Sequence, residues 1–208
     1  MALNAYNRIN LYDFNNFDKA PFLTIELSDP SLADISFPPK APFMTSLSFS
    51  ANAQYLLVGT AGNAHYVLDA YDGDMIAKLE GHVGLERGKQ SGNVAPGIIP
   101  MKGISGEEVS WTPDSKFVVG GSHDGKILVW DLSDSSKLPK VPKGQRLPKI
   151  EPCAILEGHL GPSRCVRFNP KWAMMASAGM ELAFWLPDAS GAEGDFDTKK
   201  LFGRIGLS

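Results

Sequence analysis

The chain has 208 residues, of which 43% are hydrophobic and 21% charged, and its net charge is −3. That is an ordinary globular composition, long enough for one sizeable core or two small ones. It excludes a bulk attraction to nucleic acid or anionic lipid, and no apolar run approaches the ~18 residues that span a bilayer.

Glycine (21) and proline (15) are plentiful and no stretch carries a helical period, so many short strands joined by tight turns are expected. Met1 to Asn10 lacks a basic region followed by an apolar stretch, so no secretory signal is expected. Ile9 to Asp13 (INLYD) and Phe22 to Leu27 (FLTIEL) read as two strands. Phe49 to Asp69 (FSANAQYLLVGTAGNAHYVLD) then aligns without a gap, at an offset of 62, with Trp111 to Asp131 (WTPDSKFVVGGSHDGKILVWD). Phe168 to Pro187 (FNPKWAMMASAGMELAFWLP) is a third, shorter copy. In each copy a short strand ends in an aromatic residue, a Ser-Ala-Asn, Thr-Pro-Asp or Asn-Pro-Lys turn follows, and an apolar strand leads into a second turn and a third strand. Asp124-Gly125 is the strongest hairpin signal. Fourth strands are visible at Met75 to Leu79 and Cys153 to Leu156, each running into Leu-Glu-Gly-His (Leu79 to His82, Leu156 to His159).

Three stretches break this pattern. Residues 83–105 read as a glycine-rich loop and 188–208 as a weakly patterned tail. Within the basic insertion 133–150, Lys137, Lys140, Lys143, Arg146 and Lys149 recur every third residue among prolines. Polyproline II has three residues per turn, which would place the five charges on one edge of a candidate anion-binding arm. The plainer reading is a loop kept soluble by its lysines.

Four antiparallel strands per repeat, with Gly-His at one end and Trp-Asp at the other, resemble the WD-repeat family. The resemblance implies an all-β fold, a partial β-propeller of about three and a half four-stranded blades out of a probable seven, with the ring not closed. The expected divisions of this partial propeller, 5–187, are a half blade at 5–27, blades at 43–81 and 106–158, and a three-stranded last blade at 161–187. The blade count suggests the C-terminal half of a longer protein, either a truncated gene model or a fragment. Within each blade a hydrogen-bonded network of histidine, hydroxyl, aspartate and indole is expected: His82, Asp124 and Trp130 in the middle blade, with Gly120 at the hydroxyl position, and His159, Ser177 and Trp185 in the last, with Glu181 near the missing aspartate. His65 reads as strand surface, and Cys153 and Cys165 as buried free thiols.

No catalytic, cofactor or metal site is expected. Ser122-His123-Asp124 is poor geometry for a triad, because neighbouring strand residues point to opposite faces. No phosphate loop, His-Glu-x-x-His or Cys-x-x-Cys occurs. Asp69 to Gly73 lacks the later ligands of a calcium loop.

Asn10 to Phe22, the middle blade, and above all the Phe184-Trp185-Leu186-Pro187 ending resemble the small propeller subunit shared by the COMPASS (SET-domain) histone methyltransferase complex and the cleavage and polyadenylation factor. That implies a non-catalytic nuclear adaptor for methylation of histone H3 on its fourth lysine. The implied partners are the SET-domain methyltransferase, other complex subunits, the phosphorylated C-terminal repeat domain of RNA polymerase II and polyadenylation factor subunits, with no membrane and no direct nucleic-acid contact. The alternative is a WD-repeat scaffold of another complex, such as a ubiquitin-ligase substrate receptor.

Overall fold

The computed structural model describes residues 2–5, 8–16, 18–34, 42–84, 108–134, 138–187 and 203–205. The described residues form four sheets and no α-helix. The first sheet joins β1 (Ala2–Ala5), β2 (Arg8–Leu11) and β3 (Leu23–Glu26). The second runs β4 (Met44–Phe49), β5 (Tyr55–Thr60), β6 (His65–Asp69), β7 (Met75–Leu79). The third contains β8 (Val109–Trp111), β9 (Phe117–Gly121), β10 (Lys126–Asp131) and β12 (Ala154–Glu157), and β11 (Lys149–Ile150), between them in sequence, crosses back to lie parallel to β7. The fourth holds β13 (Cys165–Phe168), β14 (Met175–Ala178), β15 (Leu182–Leu186) and β16 (Gly203–Ile205). Apart from the β11–β7 pair, every pairing is antiparallel.

Side-chain alternation explains the stacking. In β10, Ile127 and Val129 point one way, into a core shared with Val166, Met175, Ala183 and Trp185 of the last sheet. Leu128 and Trp130 point the other way, onto Leu57, Val67 and Ile76 of the second sheet. Leu56, Val58, Tyr66 and Leu68 then face Ile9, Leu11 and Ile25 of the first. A strand buried on both faces reads as a continuous apolar run, hence Tyr55 to Val58 and Ile127 to Trp130. Among the described residues another sheet packs against only one face of β15, and there the run alternates: Ala183 and Trp185 are buried, Leu182 and Leu186 exposed.

The repeat is legible bond by bond. In the first turn Ala53 N–H donates to Ser50 O, and at the equivalent place Ser115 N–H donates to Thr112 O (2.9 and 3.0 Å). Ala53 and Ser115 both take positive φ (58° and 61°), so each tight turn closes on a left-handed residue. Asn52 N–H donates to Ser115 Oγ (3.1 Å) and Trp111 Nε1 to Ser48 O (3.2 Å), tying one blade to the next.

Several expectations are corrected. The half blade has three strands rather than two, because β1 pairs with β2 upstream of the expected start. The last blade has four rather than three: Gly203–Ile205, in the tail, pairs with Phe184–Leu186. Cys153 is exposed and Cys165 half-buried, so neither is a core thiol. The expected loop at 83–105 lies, beyond Gly84, outside the described residues, as do most of the tail and Lys137.

Candidate functional site

The last blade brings its three expected residues together. Ser177 sits on β14 beneath Trp185 of β15, and Trp185 Nε1–H donates to Ser177 Oγ (2.7 Å). The same hydroxyl lies 2.7 Å from His159 Nε2, so one buried oxygen joins the loop, the second strand and the third. Glu181 stands 3.8 Å from His159 Nδ1, in the direction of the missing aspartate.

The middle blade is wired differently. Trp130 Nε1–H donates to the Glu80 carbonyl (2.8 Å) and His82 Nε2 meets the Gly62 carbonyl (3.0 Å). Gly120 is required where the last blade has Ser177: a Cβ there would stand 2.9 Å from the Trp130 ring. Asp124 turns to Lys126 (3.6 Å) and no hydrogen bond joins it to His82 or Trp130, so the expected middle-blade set is not one network. Its place is taken by His65, which is buried, not strand surface. Its ring stacks on His82 at 4.1 Å, and both rings meet Trp130 edge-on. His65 shares a strand face with Val67, so period two could have found it. Burial pushes His82 down to about 4; burial, then the neighbouring His82, depresses His65 well below the usual range.

A second buried cluster had only Lys78, a lone charge in the apolar strand MIAKL, as its signal. Lys78 Nζ bridges Asp29 (2.8 Å) and Glu80 (2.9 Å), and Tyr66 donates its hydroxyl to Asp29 (2.9 Å). Burial opposes charge on all three ionised groups. Hydrogen bonds and charge attraction among them, with Ser31 bonding Asp29 and Lys149 bonding Glu80, outweigh it, holding the Asp29 and Glu80 carboxyls below the usual range and Lys78 above it. Between the innermost strands, Thr45 donates to the buried carboxylate of Glu108, which burial pushes up to about 7.

The basic insertion is docked rather than projecting. Lys78 N–H donates to Pro148 O and Glu80 N–H to Ile150 O (3.0 and 3.2 Å), while Leu138 is buried in the core between the second and third sheets. Lys140 pairs with Asp69 and Asp72, Arg146 with Asp34 (2.7 Å), and Lys149 with Glu80 (2.9 Å). The single-edge arm is therefore corrected: acidic residues of the preceding blade and apolar partners for Leu138, Leu147 and Ile150 pull the segment flat. Lys143, exposed, is the one basic residue of the insertion with no ion pair among the described residues.

Ser122 Oγ accepts the Val83 amide (2.9 Å) at the hairpin turn containing His123 and Asp124. Among the described residues no three His, Cys, Asp or Glu side chains come together as a metal site.

The pattern of the WD domain, G-beta repeat, matches residues 107–131, the core of the middle blade just described. The chain carries a WD repeat. WD repeat-containing protein 82 of Drosophila melanogaster is 32% identical over 86% of this chain and 44% of its own length. COMPASS component SWD2 of Saccharomyces cerevisiae is 29% identical over 86% of this chain and 46% of its own. Set1 complex component swd2 of Schizosaccharomyces pombe is 23% identical over 86% and 51%. This WD-repeat chain thus spans about half the length of the curated relatives it matches, and its sheets form part of a propeller.

Proposed function

We propose that this chain is a non-catalytic WD-repeat adaptor of a nuclear Set1/COMPASS-type complex that methylates histone H3 on its fourth lysine. One observation carries the reading: proteins named as COMPASS and Set1 complex components match it across 86% of its length. A buried framework with blade rims presented outward suits docking rather than chemistry. Its partners are the SET-domain methyltransferase and companion subunits, and it engages the phosphorylated repeat domain of RNA polymerase II. In a second assembly it joins polyadenylation factor subunits and acts in transcription termination. Depleting the protein should lower methylation of that lysine in cells, while the purified chain alone should transfer no methyl group to an H3 peptide. Unchanged methylation after depletion contradicts the reading.

A further inference from the structure

A cleft of about 480 Å³ opens on the outer side of the molecule, between β3, the turn joining β6 to β7, and the bend of the insertion. Thr24, Ile25 and Glu26 all line it. Successive strand residues point to opposite faces, so a wall holding all three is the strand's edge, not a face. β3 is the last strand of its sheet, with nothing paired to its outer edge among the described residues. The equivalent strand of the next blade, β7, has that edge covered by β11. The opposite wall is Pro142, Lys143 and Gly144, held as a turn by Gln145 N–H donating to Pro142 O (3.1 Å) with Gly144 at φ +86°. Ile25, Met75 and Leu147 make the cleft partly apolar, and Lys143 has no ion pair among the described residues.

We propose that this cleft receives an extended segment of another protein, which adds as a strand to the open edge of β3 and sets an acidic side chain against Lys143. Main-chain hydrogen bonds along an unpaired edge supply affinity, and the side chains of the cleft supply selectivity. The volume falls within the ~300–1,000 Å³ of ordinary ligand sites. Lys140, Arg146 and Lys149 hold the far wall in place through their own carboxylate partners, leaving Lys143 to the ligand. Asp74, on the turn, asks for a hydrogen-bond donor elsewhere along the same segment. The inference does not depend on which complex the chain serves.

A displayed library of random dodecapeptides, selected against the full chain, tests it without presuming a partner. Enriched peptides should carry an acidic residue and protect the amides of Thr24 to Glu26 from hydrogen exchange. They should bind Lys143→Glu about tenfold or more weakly, and bind Lys171→Glu, altered at an exposed lysine of the last blade, as well as the parent chain. Failure to enrich any peptide, equal binding by Lys143→Glu, or protection confined to another strand would overturn the proposal. A negative result here leaves the methyltransferase reading intact, since that is tested by depletion.

Discussion

Two residues at one structural position, Gly120 and Ser177, show how a repeat tolerates different chemistry. Ser177→Ala removes the oxygen that Trp185 and His159 share and leaves buried polar atoms unsatisfied, so it should destabilise the chain by about 1–3 kcal/mol in urea unfolding. Gly120→Ser should not restore a missing bond; it should also destabilise, because its Cβ collides with Trp130. The stacked histidines make stability depend on pH. His82 titrates near 6.5 when unfolded and at about 4 when folded, so it stabilises the neutral fold. That stability is complete above pH 6.5 and is lost as pH falls toward 4, about 3 kcal/mol in all. Asp29 and Glu80, depressed in the same direction, add to the loss at still lower pH, once their carboxylates protonate. Glu108, raised to about 7 by burial, gains stability over the same fall in pH. The His82 part is therefore read as the difference between the parent chain and His82→Phe in urea unfolding at pH 7 and pH 5, and His82→Phe should lose less stability on acidification. Lys78→Ala strands the buried Asp29 charge and should cost about 3–5 kcal/mol.

Among the elements, the insertion behaves as a fifth strand rather than an arm. Replacing residues 138–150 with a glycine-serine linker should expose the outer edge of β7, and hydrogen exchange should accelerate at the Lys78 and Glu80 amides. High salt alone should not release it: exposed ion pairs are worth about 0–1 kcal/mol each, and backbone pairing and buried Leu138 remain. The blades themselves were legible in the sequence because strand grammar is local: the Thr112 turn, Asp124-Gly125 and the apolar run to Trp130 each announce themselves within a few residues. The docking of the insertion was not legible. Its threefold charge spacing fits polyproline II, but the carboxylates at Asp34, Asp69, Asp72 and Glu80 that draw it down lie about 60 or more residues upstream. His65 was missed for a related reason, since its burial depends on His82 and Trp130 arriving from later in the chain.

For the whole molecule, face-to-face sheets sharing three cores form a scaffold whose interior is spent on packing. What is left for recognition is outward: the rims, the cleft beside β3, and the outer face of β15. Leu182→Lys, on that face, should be nearly neutral in this chain, whereas Trp185→Ala should cost about 3–5 kcal/mol, as thermal unfolding will show. In the proposed function, this scaffold works inside a histone methyltransferase complex. Affinity purification of the tagged endogenous protein, with partners identified by mass spectrometry, tests it most directly. A SET-domain methyltransferase with its companion subunits should be recovered; a cullin-type ligase instead, or no chromatin or RNA-processing factor, would overturn the proposed function.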